Sequence, residues 1–265
     1  MGNISKTFRP SVVNGDVSTV IQSDKTDLPF ASGDLLFDWT AVDIPLRTNT
    51  IEGGIIHAYG EDGSSQGAGD IMLLIAKTNN GAAPTTLGTV NDPPSSCYEL
   101  PDVLMQVMKF EASSNTNGKL NLANLGSSYY FYNMSGAAGN SAIHTQSGPL
   151  PIEPENNNLG GTSTNRIYVA GVAGGVIDFS TGVLADGAIT SDSATSITTQ
   201  TVDPRKAFRV GDTVYLHDVD TALGTIASMT ATNITLNAAI AGGTDIADED
   251  EFINDKPITV TLNFG

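Results

Sequence analysis

The sequence predicts an all-β protein, and three observations support this prediction. Only 15% of the 265 residues are charged, whereas roughly 25% is average for a globular domain. Straight-chain helix formers are scarce, while β-branched residues alternate with Ser, Asn and the 28 glycines. Short apolar runs closed by such turn formers are typical of strands joined by tight turns.

An extended arm is predicted for residues 1–30, because only a few apolar residues interrupt a polar segment. Lys6 and Arg9 are the only charged residues among the first fifteen. We expect them to dock on an acidic surface, with nearby apolar side chains adding contacts or strand pairing. The residues assigned to this contact are Lys6, Phe8, Arg9, Val12, Val13, Val17, Val20 and Ile21.

Three strands are predicted in the next part of the chain. The first covers residues 35–42 after a Gly-Asp turn and contains Trp39, the only tryptophan, which we expect to anchor the core. Strands over residues 51–59 and 71–77 are each followed by a run of turn-forming residues. This spacing is typical of hairpins.

Residues 100–112 are compatible with two structures. An apolar stripe at helical spacing begins at Leu100 beside Pro101, but a strand buried on both faces would have the same residues. We predict a strand. An aromatic strand follows at residues 129–133, and a long connection then runs to residue 165.

The strand that begins at Arg166 is interrupted by Gly171, Gly174 and Gly175, where we predict bulges or a close approach of another backbone. A weak repeat follows, which suits two similar hairpins of a small barrel. Its residues Ile189, Ser191, Ala194, Thr195, Ile197 and Thr198 recur 37 positions later as Ile226, Ser228, Ala231, Thr232, Ile234 and Thr235. Between the two copies, residues 210–217 alternate as a further strand.

The C-terminal segment 258–264 alternates regularly after Pro257, and we expect this strand to return to the first domain. The predicted architecture is therefore a jelly-roll-like sandwich with an inserted or appended small β-barrel and an extended N-terminal arm. Its predicted domains are the arm at 1–30, the sandwich at 31–179 completed by strand 257–265, and the barrel at 180–256.

Charge and composition narrow the set of partners. A net charge of −17 and a pI near 4.2 disfavour nucleic acid and anionic membranes. The longest apolar runs are far shorter than the roughly 20 residues of a membrane-spanning helix. The lone Cys97 excludes an intrachain disulfide framework, and the first residues lack the apolar core of a signal peptide. Protein partners are expected.

No motif predicts a catalytic residue. Residues 63–67 fit the GxSxG pattern of hydrolases, but they lie between two strands with no helix after them, which favours a hairpin loop. His57, His144 and His217 lack a second ligand at zinc spacing. We expect His217 to be a half-exposed strand residue that faces away from the neighbouring acids.

Charged clusters likewise predict no metal or cofactor site. The acidic run contains Asp245, Asp248, Glu249, Asp250, Glu251 and Asp255. Calcium could bind such oxygen-rich segments, but the spacing lacks the EF-hand pattern and favours a solvated loop. The other carboxylates lie mainly in turns, as at Asp16, Asp34, Asp62, Asp70, Asp186 and Asp212, which favours turn formation over catalysis. Arg205, Lys206 and Arg209 are too few to form a nucleic-acid patch.

Residues 33–46 and 208–236 resemble segments of virion structural proteins from tailed bacteriophages, particularly those of marine and cyanobacterial hosts. The resemblance rests on the order of a Gly-Asp turn, the residues VYL and a Ser- and Thr-rich hairpin. It implies an acidic, cysteine-poor β module that coats capsids or builds tails, and it assigns no catalytic residue.

The expected function is that of a non-enzymatic capsid decoration or cement protein. It would be made in the host cytoplasm and would bind the major capsid protein on the capsid exterior as a homo-oligomer, with a trimer as our hypothesis. One alternative is a tail or fibre component that binds host surface glycans through Tyr129, Tyr130 and Tyr132. Another is an all-β glycan hydrolase or lyase, which would need a cleft with paired carboxylates.

Overall fold

A computed structural model of the chain shows antiparallel strands arranged in three sheets. The residues it describes are 6–8, 29–45, 50–59, 69–110, 112, 119–122, 127–132, 150–152, 155–156, 164–190, 193–217, 221–240, 244–254 and 257–264. The all-β prediction is confirmed, because one turn of α-helix and one turn of 3-10 helix are the only helical segments among these residues.

The strands are numbered in chain order. The first nine are β1 (Lys6–Phe8), β2 (Leu35–Pro45), β3 (Thr50–Tyr59), β4 (Ile71–Ala76), β5 (Leu104–Phe110), β6 (Lys119–Leu122), β7 (Ser127–Tyr132), β8 (Leu150–Pro151) and β9 (Glu155–Asn156). The others are β10 (Thr164–Ala173), β11 (Val183–Ala185), β12 (Ser196–Thr201), β13 (Thr213–Leu216), β14 (Thr221–Thr230), β15 (Asn233–Leu236), β16 (Phe252–Asn254) and β17 (Ile258–Phe264). The helix α1 covers Leu100–Val103, and the 3-10 turn covers Pro204–Lys206.

Two of the sheets pack into a sandwich. The first has the order β1-β17-β3-β7-β6 with β8 beside β3, and the second has the order β2-β10-β4-β5 with β9 beside β10. Buried side chains from both sheets, such as Ile56 and Val260 from the first and Leu73 and Val169 from the second, form one apolar cluster. The C-terminal strand β17 pairs with β3 along its whole length, so residues distant in sequence complete the first sheet.

The third sheet closes into a small barrel with the order β11-β12-β15-β14-β13-β16. A bridge joins Leu184 of β11 to Glu251, the residue before β16, and the N–H of Ala185 donates to the carbonyl of Asp250 at 2.9 Å. The barrel has its own apolar cluster, which includes Phe208 and Phe252.

The hairpin predicted between residues 51–59 and 71–77 is wrong. The strands β3 and β4 exist, but β3 pairs with β17, β7 and β8, whereas β4 pairs with β10 and β5 in the opposite sheet. The turn-forming residues between them mark a connection from one layer of the sandwich to the other. Both strands bury apolar side chains in the core between the layers, so periodicity alone does not distinguish this crossover from a hairpin.

Residues 100–112 combine the two structures that the sequence left open. The strand prediction is confirmed for β5, but it is wrong for the four residues of α1. Pro101 lies in the first turn of α1, where its missing N–H costs nothing because that position has no helical partner. The helix ends at Leu104, whose backbone is extended.

The predicted irregularity at Gly171 is confirmed. The ladder between β10 and β2 shifts register on both sides of Gly171, which stands opposite Phe37. A Cβ atom on Gly171 would lie 2.2 Å from Cε1 of Phe37, so the absence of a side chain makes room for this buried ring. The strand ends at Ala173, and the N–H of Gly174 donates to the carbonyl of Asp70 at 2.6 Å.

In both copies of the weak repeat, strands that follow each other along the chain pair in antiparallel fashion, β11 with β12 and β14 with β15. The second copy contains the hairpin β14–β15, as expected. In the first copy, Ile189 pairs with Ile246, while β12 pairs directly with β15 of the second copy. The equivalent residues Ile197 and Ile234 stand opposite each other in that ladder, because the two copies are neighbours in one closed sheet.

Trp39 is not the anchor of the main core. It is half-buried and packs on the outer face of the second sheet, beside Leu35 and Leu87. Its Nε1 donates to the carbonyl of Thr85 at 3.1 Å, and Oδ1 of Asp38 accepts from the N–H of Leu87 at 3.0 Å. The loop between β4 and α1 therefore covers this face and hides it from solvent.

Candidate functional site

The N-terminal arm begins as a strand at the edge of the sandwich. Lys6, Thr7 and Phe8 stand opposite Phe264, Asn263 and Leu262 of β17. Residues 6–8 of the predicted arm therefore form an edge strand of the first sheet. The other assigned arm residues, Arg9, Val12, Val13, Val17, Val20 and Ile21, lie outside the described residues.

The first and the last described strands, β1 and β17, are neighbours in the first sheet. On one side β17 pairs with β3 over seven residues, and on the other it pairs with β1 over the last three. Backbone pairing of this kind does not depend on which side chains are present, so a sheet edge can accept strands from other chains. β1 is the outermost strand on this side of the first sheet. It is the part of the predicted capsid-binding arm that lies among the described residues.

A polar contact between side chains joins the sandwich to the barrel. His57 is on β3 and is only 6% exposed. The Nη2 atom of Arg209, from the segment that precedes β13, lies 3.2 Å from Nδ1 of His57. Arg209 is held by the barrel, because its backbone N–H donates to Oδ2 of Asp212 at 2.8 Å. Asn254 of β16 donates to the same oxygen at 2.8 Å and to the carbonyl of Ala207 at 3.0 Å.

The electrostatics of this contact favour a neutral imidazole. Burial, and then the positive charge of Arg209, lower the pKa of His57 from 6.5 to about 3. Both effects act in the same direction, since burial disfavours the charged ring and a neighbouring cation repels it. A guanidinium can only donate hydrogen bonds, so Nδ1 of His57 accepts and carries no proton.

The connection between β10 and β11 is also fixed to the barrel. Oε1 of Glu251 accepts hydrogen bonds from the N–H groups of Thr181 and Gly182, both at 2.8 Å. The hydroxyl of Thr181 donates to the carbonyl of Phe252. One carboxylate from the acidic run therefore closes a loop about seventy residues earlier in the chain.

Other carboxylates are used in the same way. Each of the following accepts at least one backbone N–H: Asp34, Asp38, Asp70, Glu99, Asp178, Asp203, Asp212, Asp248, Asp250 and Glu251. The turn role predicted for Asp34 and Asp212 is confirmed, because each accepts from an N–H three residues away. It is wrong for Asp70, whose carboxylate accepts from the distant Ala112 and pairs with Lys109. Asp16 and Asp62 lie outside the described residues, and at Asp186 the backbone N–H bonds to Thr198.

The acidic run is a set of exposed and half-exposed residues around a tight turn. Asp248 accepts from Gly187, Asp250 accepts from Ala247, and Glu249 adopts a φ of +69°. Asp245 is exposed, and Asp255 lies outside the described residues. Within the described part of the chain, no three His, Cys, Asp or Glu side chains are grouped so that they could hold a metal ion.

The local basic cluster is divided by the fold. Arg205 forms an ion pair with Asp203 at 2.7 Å, and the side-chain hydrogen bond from Arg205 is the main reason why the pKa of Asp203 lies below its usual value. Arg209 turns instead to His57. No local sequence pattern indicates this junction, because His57 and Arg209 are 152 residues apart and no motif links them.

The prediction for His217 is wrong. Its side chain is buried at 8% exposure, and its backbone N–H extends the pairing of β13 by donating to the carbonyl of Glu251 at 3.0 Å. His144 and the GxSxG segment at 63–67 lie outside the described residues. The aromatic strand is observed as β7, which pairs with β3 on one side and β6 on the other.

Comparison of the chain with models of protein families, with curated proteins and with solved structures finds no match in any of the three. Among the described residues, no helix has the length and apolar character that crossing a bilayer requires.

Proposed function

We propose that this chain is a non-enzymatic structural protein of a virus particle, most specifically a capsid decoration protein that binds the major capsid lattice. In this proposal it acts on the capsid exterior as a homo-oligomer, with three copies around a lattice symmetry axis. The observation that supports the proposal is the position of β1, the segment that contains Lys6, at a sheet edge of the sandwich.

Strand pairing at a sheet edge would allow such an arm to bind a neighbouring capsid subunit. Main-chain hydrogen bonds supply affinity, while Lys6 and Arg9 supply the charge that an acidic shell would attract. The remainder of the protein carries a large negative charge, as the chain total of −17 requires. Such a charge disfavours contact with packaged nucleic acid.

The use of the carboxylates supports a structural role. Some form tight local turns, as Asp34 does with Ala31, and others tie together distant segments, as Asp38 does with Leu87. Charge-assisted hydrogen bonds to backbone N–H groups are stronger than neutral ones. A shell protein needs loops fixed in this way, because it has to keep its shape outside the cell.

The test is binding to capsids of the source particle that lack this protein, measured by co-sedimentation. We expect the full chain to pellet with the capsids and a variant without residues 1–25 to remain in the supernatant. Circular dichroism and thermal unfolding of the shortened variant have to show that the sandwich and the barrel are still folded.

A matched pair of charge reversals separates the arm from general electrostatics. Lys6→Glu and Lys206→Glu change the net charge equally, but Lys206 belongs to the 3-10 turn of the barrel. We expect Lys6→Glu to weaken capsid binding at least tenfold and Lys206→Glu to leave it within twofold. Equal effects, or binding retained without residues 1–25, would contradict the proposed role of the arm.

A further inference from the structure

The sandwich and the barrel meet without sharing an apolar core. Among the described residues, the buried apolar side chains of the barrel form a cluster of their own, which includes none of those of the sandwich. The chain passes between them twice, after β10 and after β16. Two domains without a large apolar interface are free to move relative to each other unless specific contacts hold them.

We propose that the contact between His57 and Arg209 is an acid-released latch, which holds the barrel against the sandwich at neutral pH. His57 belongs to the sandwich through β3, and Arg209 belongs to the barrel through its bond to Asp212. Their hydrogen bond of 3.2 Å therefore spans the junction. It forms only while Nδ1 is unprotonated, because a proton there leaves two cations facing each other.

The residues that stand opposite His57 in its sheet are uncharged. In the two ladders next to it, these residues are Thr259 of β17 and Tyr129 of β7. Arg209 is the charged group that acts on the ring. The carboxylate of Asp212 bonds to the backbone of Arg209 and to Asn254, so it anchors the arginine on the barrel side of the contact.

The direction of the pH effect follows from the two protonation states. In the closed junction the pKa of His57 is about 3, whereas an exposed ring has its ordinary value of 6.5. The open form therefore binds the proton more tightly, and the closed form is fully favoured only above pH 6.5. Below that value closure weakens about tenfold per pH unit until pH 3. Between pH 7.5 and 4.5 the equilibrium constant for closure falls about a hundredfold.

The latch can be tested in the full chain by measuring the distance between its two parts. Cys97 is exposed on the loop that covers the sandwich, and Ser228 is exposed on β14 of the barrel. Fluorescent labels on Cys97 and on a Ser228→Cys variant report the distance by energy transfer. We expect a single distance at pH 7.5 and a second, longer distance that gains population toward pH 4.5, with an unchanged circular dichroism spectrum.

Two histidine variants show whether the response comes from this contact. His57→Gln keeps an oxygen that can accept from Arg209 but cannot take up a proton, so we expect one distance at both pH values. His217→Gln removes the other described histidine, which is buried in the barrel, and it should keep the acid response. The proposal is overturned if the folded wild-type protein shows one distance throughout, or if His57→Gln responds as the wild type does.

A measurement on the wild-type chain tests the proposal even if the His57→Gln variant does not fold. In the nuclear magnetic resonance spectrum of the wild-type chain, the imidazole signals of His57 should titrate with a midpoint clearly below 6.5. A midpoint at or above 6.5 would contradict the latch, because the closed junction would then not oppose protonation. Neither experiment involves capsids, so the outcome is independent of the proposed function.

Discussion

A methyl group added at Gly171 tests the packing of the sandwich directly. The new Cβ would lie 2.2 Å from Cε1 of Phe37 and 2.7 Å from Cδ1 and Cζ, distances that no pair of carbon atoms tolerates without movement. Phe37 is 2% exposed and belongs to the core cluster, so its ring has little space to move. Overpacking of a core costs up to about 3 kcal/mol in the free energy of unfolding, and we expect Gly171→Ala to reach that value.

A double-mutant cycle shows whether the ring is the cause. Phe37→Ala alone should cost about 4 kcal/mol, because it empties a buried aromatic site. In that background the methyl group introduced by Gly171→Ala meets no ring, so the double variant should also cost about 4 kcal/mol. The sum of the two single changes would be about 7 kcal/mol, and the difference of about 3 kcal/mol is the coupling energy.

The assay is urea unfolding followed by the fluorescence of Trp39, which is the only tryptophan and lies in β2 of the sandwich. Gly187→Ala in the barrel is the control. Its Cβ would meet no atom within 4 Å, but its φ of +88° disfavours any side chain. Its cost should appear in the unfolding of the barrel, followed by far-ultraviolet circular dichroism, and should not depend on Phe37. A Gly171→Ala cost that remains the same in the Phe37→Ala background would refute the reasoning.

Three further outcomes are expected. Removal of residues 257–265 takes away the β17 partner of β3 and the buried Ile258, Val260 and Leu262; loss of resistance to protease in the sandwich is the expected result, and unchanged resistance would contradict the topology. Glu251→Ala should lower the free energy of unfolding of the barrel by about 3 kcal/mol, because two charge-assisted hydrogen bonds are lost. Glu251→Gln keeps one acceptor and should cost clearly less, as measured by urea unfolding followed by circular dichroism. Millimolar calcium should leave the melting temperature unchanged if the acidic run serves the loop contacts alone, and a calcium-dependent rise would instead indicate a cation site there.

Local sequence patterns predict the features that depend on local chemistry. The alternation of residues 258–264 predicts β17, and the glycines of the strand after Arg166 predict the irregularity at Gly171. The turn-forming carboxylates Asp34 and Asp212 are recognisable because their partners, Ala31 and Arg209, lie three residues away. In each case the determining interaction lies within a few residues or within one strand.

Local patterns do not show which strands become neighbours. β3 and β4 have the sequence pattern of a hairpin, because both strands bury apolar side chains in the same core. Only their pairing shows that they belong to opposite sheets. The junction of His57 with Arg209 depends on two segments 152 residues apart, and neither residue is unusual in its local sequence. The sequence likewise does not show that Trp39 packs on the outer face of the second sheet. The loop that covers this face is polar in composition, and hydrogen bonds to Asp38 and Glu99 hold it in place.

The stoichiometry of binding to capsids tests the proposed function most directly. Increasing amounts of the purified full chain are sedimented with capsids of the source particle that lack it, and the bound copies are counted at saturation. We expect saturation at the number of copies set by one class of lattice symmetry axes, three per threefold axis for a trimer. Absence of binding, or binding that never saturates, would contradict a decoration role.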